Sequence, residues 1–308
     1  MHAAINRRSF LGSSLAAGLG VVLGQNQGWG VEPFARVGPA RFLLSLAAYS
    51  FREYFVDDRG RSRASEGKRN LTLTGFIDFC GQHGCHGAEL TSYYFPADTD
   101  DAFLLQLRRH AFLRGVEISG TAVGNSFTSP QAERRQQEVE LVKRWVDQAA
   151  VMGAPHIRVF AGNAGSLSLA EAQRLCIEAL EECAAYAGNK GIFLGIENHG
   201  GIVAHPDGLL EIVRAVQSPW VGINLDTGNF HSEDPYRDLR LCAPYAVNVQ
   251  VKVEMQRPGR PKEPTDLEQI VGILREVNYQ GYVALEYEAA GDPFTAVPEW
   301  LGKLKAAL

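Results

Sequence analysis

A chain of 308 residues with 45% hydrophobic and 21% charged side chains can bury a sizeable core without disulfide or metal staples. Its formal net charge of −5 leaves no basic excess to neutralise a phosphate backbone, which argues against a nucleic-acid partner. From position 41 onward, short apolar segments alternate with amphipathic ones. Strands are expected over 42–50, 87–90, 116–123, 156–160, 192–197, 221–226, 247–253 and 282–286. Helices are expected over 73–83, 102–114, 131–152, 169–188, 206–217, 234–241 and 267–277, with a last one over 294–308. A strand followed each time by a helix implies parallel strands joined by crossover helices, the α/β class. The length after residue 40 is close to the ~250 residues of a single (β/α)8 TIM barrel. No early G-x-G-x-x-G follows a strand, which argues against a dinucleotide-binding sheet.

Ahead of the barrel the sequence divides into a signal segment over 1–30 and a short linker over 31–40, with the barrel over 41–308. Arg7 and Arg8, followed by Ser9, Phe10, Leu11 and a Gly/Ala-rich apolar run to Leu23, resemble a Tat-type export signal. That run is shorter than the roughly 20 residues a spanning helix needs, so export to the periplasm without stable membrane insertion is expected. The cysteines at 80, 85, 176, 183 and 242 show neither C-x-x-C spacing nor a paired His pattern, and buried free thiols are expected. The polar stretch 56–70 is long for a strand–helix loop and is either a partial lid on the catalytic face or a solvated insertion.

Chemistry in such a barrel gathers at the C-terminal strand ends. The seventh strand alternates Val247, Val249, Val251 and Val253 with Asn248, Gln250, Lys252 and Glu254. The outer face must be apolar to pack on the helix ring, so the polar set points inward. The same parity turns Glu197, Asp226 above Asn224, Glu286 and Glu288 inward, and on the fourth strand Arg158. Glu197, Asp226 and Glu286 side by side repel unless a cation stands among them. A divalent ion held by Glu197, Asp226, Gln250 and Glu286 is one solution. This all-oxygen set favours Mn2+ or Mg2+ over Zn2+, with Mn2+ expected first and Mg2+, Co2+ and Zn2+ as alternatives. A salt-bridge network using Arg158 and Lys252 is the other.

These residues stand in motifs: Gly87-Ala88-Glu89-Leu90-Thr91, Ile196-Glu197-Asn198-His199-Gly200, Leu225-Asp226-Thr227-Gly228-Asn229 and Leu285-Glu286. Together they resemble the xylose isomerase-like TIM barrels of the sugar phosphate isomerase/epimerase family, over almost all the chain after the signal segment. The resemblance implies a carbohydrate substrate, a divalent metal on Glu197, Asp226, Gln250 and Glu286, and proton transfer by Glu197 and Glu286. Two positions depart from it: Gln250 stands where a metal-binding His is typical, and Asn229 where a substrate-binding His is common. Substrate contacts are expected from His199, Asn229, Lys252, Arg158 and Glu89, with a salt bridge between Arg158 and Glu89 as an alternative for that pair. Epimerisation, elimination from the same enediolate and sugar binding without turnover stay open, and a homo-oligomer is compatible with the sequence.

Overall fold

The computed structural model describes residues 30–56 and 69–308, so the expected signal segment up to residue 29 and most of the loop 56–70 lie outside the described residues. Eight parallel strands close into one barrel: β1 Arg41–Ala47, β2 Gly87–Thr91, β3 Glu117–Ala122, β4 His156–Val159, β5 Phe193–Glu197, β6 Val221–Asp226, β7 Ala246–Lys252 and β8 Gln280–Glu286. Neighbours around the barrel run β1-β8-β7-β6-β5-β4-β3-β2 and back to β1. Outside it lie α1 Leu73–Gln82, α2 Asp101–Leu113, α3 Ala132–Met152, α4 Leu169–Gly188, α5 Pro206–Ala215, α6 Pro235–Cys242, α7 Leu267–Glu276 and α8 Pro293–Ala307.

Local chemistry starts these helices where the chain leaves the strands. Thr72, Asp100, Ser168, Asp234 and Asp266 each accept a hydrogen bond from the backbone N–H three residues on, satisfying a donor the first helical turn leaves free. Helix α3 ends at Gly153, whose φ of 79° is the left-handed conformation a helix terminus favours glycine for. The outward strand side chains Ile196, Leu225, Val249, Val251, Val283 and Leu285 are all buried, at roughly 1.5–3 kcal/mol of transfer free energy each. All five cysteines are buried free thiols, as expected.

Most strand limits fall within a residue of expectation, and three of the differences have identifiable reasons. β1 stops at Ala47 and turns into a 3-10 turn over Ala48–Phe51, where the Ser50 hydroxyl accepts from Tyr287 N at 2.9 Å and ties the turn to the end of β8. β8 begins two residues earlier than expected, because Arg41 and Phe42 of β1 pair with Gln280 and Gly281. β7 ends at Lys252, and Glu254 does not continue its inward row. Glu254–Met255 leave the barrel to pair antiparallel with Glu263–Pro264.

The strand register fixes the mouth of the barrel. Arg158 pairs with Gly195, Glu197 with Asn224, Asp226 with Gln250, and Lys252 with Glu286. The polar residues of β4 to β8 therefore rise in rows at the C-terminal end.

Candidate active site

Buried amides form the lower row. Asn248 Nδ2 donates to Glu89 Oε2 and to Asn224 Oδ1, both at 2.8 Å, and Gln250 Nε2 donates to Glu89 Oε1. Asn224 Nδ2 donates to Gln250 Oε1 at 2.6 Å. Each oxygen of Glu89 thus holds one amide, and Glu89 pairs with these amides and not with Arg158. Burial, with the Glu286 charge adding, pushes the Glu89 carboxyl up to about 7.

The upper row is ionic. Glu197 Oε2 lies 2.9 Å from Arg158 Nε, and Glu197 Oε1 lies 2.9 Å from both His199 Nδ1 and Asn229 Nδ2. The Arg158 guanidinium covers the Phe160 ring at 3.8 Å and donates to the Val123 carbonyl at 2.9 Å. Burial alone would raise the Glu197 carboxyl; Arg158 and the hydrogen-bonded His199 outweigh it and hold the group below the usual range. His199 is raised in turn, first by its bond to Glu197.

Lys252 stands at the centre of the remaining acids. Its Nζ contacts Glu286 Oε2, lies 3.1 Å from Glu288 Oε1 and 3.4 Å from Asp226 Oδ2. Burial would lower its pKa, but the charges of Asp226, Glu286 and Glu288 outweigh burial and hold it well above the usual range. Asp226 Oδ1 accepts from Gly228 N at 2.8 Å, whereas among the described residues the buried Oδ2 has no hydrogen bond, only the ion pair to Lys252. Gly228 is required here: a Cβ would lie 2.5 and 2.7 Å from Lys252 Cγ and Cβ.

Two supports lie within the motifs at the ends of β5 and β6, with partners that the sequence does not signal. Asn198 Oδ1 accepts from Asp226 N and Asn198 Nδ2 donates to Asp226 O, both at 2.8 Å, riveting the end of β5 to that of β6. Thr227 Oγ1 accepts from Lys252 N at 2.9 Å and does the same for β6 and β7. The inward parity of Asn224 and Asn248 was legible, but their lattice with Glu89 was not. Of the aromatic residues near the mouth, Tyr94 stacks on Phe55 at 4.1 Å and belongs to the packing.

The donor set expected for a divalent ion does not converge. The Gln250 carbonyl oxygen is turned to Asn224, Glu197 to Arg158, His199 and Asn229, and Asp226 and Glu286 to Lys252. Among the described residues no three His, Cys, Asp or Glu side chains are grouped to hold a metal ion. As they stand, these residues do not fit one. Open space at the mouth is a cavity of about 190 Å3 edged by Asn229, His231, Lys252 and Glu288, beside one of about 550 Å3 edged by Arg52, Tyr54, Tyr287 and Glu288. A cleft of about 670 Å3 between Arg108, Phe112 and Tyr282 opens at the opposite end of the barrel, away from every one of these groups.

A closed parallel barrel with buried acids, amides and two cations at its C-terminal mouth defines the (β/α)8 class with a small-molecule site. The chain belongs to the xylose isomerase-like TIM-barrel family, whose model matches residues 77–306. No curated protein sequence matches it. Among solved structures it is similar to a D-psicose 3-epimerase determined with D-fructose, at 19% identity and TM-score 0.64, covering 83% of this chain and 89% of the other. It is similar to 3-keto-D-glucoside 4-epimerase from E. coli, at 15% identity and TM-score 0.64, covering 86% of this chain and all of the other (100%). It is also similar to the IOLI protein with a bound zinc atom, at 16% identity and TM-score 0.67, covering 86% and 96%.

Proposed function

We propose that the chain is an isomerase or epimerase of a carbohydrate with a carbonyl beside a hydroxylated carbon. One observation carries the reading. Glu197 and Glu286 are both buried at strand ends, with β6 and β7 between them, so the two carboxyl groups face the mouth from different sides. One carboxylate takes the proton from the carbon next to the carbonyl, and the C–H electron pair moves onto the carbonyl oxygen. The other, protonated, delivers a proton to carbon from its own side, and solvent at the mouth resets the pair. Asp226 Oδ2, buried and without a hydrogen bond among the described residues, hydrogen-bonds a substrate hydroxyl, while Lys252 and Arg158 orient substrate oxygens. The similar structures that are named epimerases of free or keto sugars support a substrate of this class.

A divalent ion is what the family resemblance implies, Mn2+ is what an all-oxygen donor set favours, and such an ion would polarise the carbonyl. The donors present do not converge on one ion, and the proton transfers are carried by the two carboxyl groups themselves.

The test is to incubate the protein with ketoses in D2O and follow exchange at the carbon beside the carbonyl by NMR. Exchange is expected in the wild type, and Glu197→Gln and Glu286→Gln should each lose it by about 10²–10⁴-fold. An unsaturated product would replace isomerisation with elimination. Sugar binding with no exchange would leave a binding protein and overturn the reading.

For localisation we propose export through the Tat-type signal, supported by Arg7 and Arg8 ahead of the apolar run. Replacing both with Lys should keep the chain in the cytoplasm, and unchanged export would refute the assignment. Among the described residues no helix is long and apolar enough to cross a membrane.

A further inference from the structure

We infer that the resident cation of this site is the Lys252 ammonium, standing where a divalent metal would have to sit and excluding it. The inference rests on the carbohydrate reading only for its catalytic consequence; the exclusion itself stands on geometry.

Three arrangements carry it. The ammonium is buried between Asp226, Glu286 and Glu288, two of which are acids a metal would draw together. Its stem runs through a gap kept open by the missing Cβ of Gly228, and its backbone N is held by Thr227, so its entry line is built into the fold. The neutral fourth donor, Gln250, is engaged at both ends, donating to Glu89 and accepting from Asn224. Turning that oxygen away would leave a buried Asn224 amide unpaired.

A divalent ion would therefore have to expel a buried ammonium, and separate Glu197 from Arg158, His199 and Asn229. Two cations sharing this volume repel, so the metal and Lys252 compete for the same carboxylates. With Lys252 in place, the positive charge facing a substrate carbonyl is an N–H donor fixed before substrate arrives. It meets the negative charge that develops on the carbonyl oxygen as the neighbouring proton leaves.

The experiment compares wild type with Lys252→Met and Lys252→Arg, all purified without chelator. Elemental analysis, thermal shift and calorimetry with Mn2+ as the probe give readouts independent of turnover. Wild type and Lys252→Arg should carry well under one equivalent of metal and show no stabilisation in millimolar Mn2+. Lys252→Met, with its acids no longer neutralised, should bind Mn2+ at least about tenfold more tightly than wild type, a difference of about 1.4 kcal/mol. One tightly held metal per chain in the wild type, or equal Mn2+ affinity in all three proteins, would overturn the inference. The wild-type measurement stands even where Lys252→Met fails to fold. Failure of the carbohydrate reading shows separately, as absence of deuterium exchange with any ketose.

Discussion

His156 sits inside the barrel with its ring against Gly120, where even a methyl group would lie 1.9 Å from its Cε1. Nδ1 lies 3.0 Å from the Ser119 carbonyl and must carry the proton, because that oxygen only accepts. Burial, with the nearby Arg158 charge adding, pushes its pKa down to about 4. An imidazole in the unfolded chain titrates near 6.5, and the gap corresponds to about 3 kcal/mol. The depressed value fixes the sign. Between these two pH values the unfolded chain binds a proton that the folded chain refuses. This contribution to stability is whole above about pH 6.5 and falls by about 1.4 kcal/mol per pH unit as pH drops toward 4. That is a large share of the 5–15 kcal/mol that holds a typical domain. Guanidinium unfolding of wild type and His156→Gln across this range isolates the effect, since other groups titrate in both proteins. The wild type should lose about 3 kcal/mol more than the variant between pH 7 and pH 4. Parallel curves would show that the ring takes up its proton in the folded barrel, and would refute the burial argument.

Two further substitutions test the supports of the site. Arg158→Met leaves Glu197 buried with its cation gone and should destabilise the protein by about 3–5 kcal/mol in chemical denaturation; a loss below about 1 kcal/mol would mean the ion pair does not hold the site. Asn198→Ala strips partners from both Asp226 N and Asp226 O and should cost about 1–3 kcal/mol for each group left buried and unpaired. Faster amide exchange at Asp226 should accompany that loss, and an unchanged exchange rate would argue that the rivet is dispensable.

The strand order and the inward row were legible because each follows from a local rule: alternation decides which face a side chain takes, and closure of the barrel decides which face is interior. Glu197, Asp226, Gln250, Lys252 and Glu286 all point where that rule sends them. Their partners were not legible, because pairing depends on stagger between strands far apart in sequence. Arg158 had two acids within reason, Glu89 and Glu197, and only the stagger of β4 against β5 selects the second. Gln250 read as a free oxygen donor until Asn224, 26 residues earlier in the chain, took that oxygen. Glu254 satisfied the alternation and still left the row, because residues 263–264 offered it a strand partner. Periodicity carries no record of such encounters.

The charge at the mouth decides one further point. Glu197, Asp226, Glu286 and Glu288 face Arg158 and Lys252, and both cations are already engaged in ion pairs with these acids. A substrate phosphate would enter an acidic ring and would have to strip a cation from a buried carboxylate to be bound, leaving that carboxylate uncompensated. A neutral polyhydroxy substrate meets no such opposition: it can hydrogen-bond the carboxyl groups without taking their cations, and among the described residues Asp226 Oδ2 has no hydrogen-bond partner. Exchange at the carbon beside the carbonyl should therefore be faster with a free ketose than with its phosphate ester by at least about tenfold in kcat/KM, a transition-state difference of about 1.4 kcal/mol. Raising the salt concentration should narrow the gap, because screening weakens repulsion between the ester and the partly exposed Glu288 more than it weakens the buried pairs. Preference for the phosphate ester would show that one of the cations releases its carboxylate on substrate binding, and would refute the account of the mouth as a ring of fixed pairs.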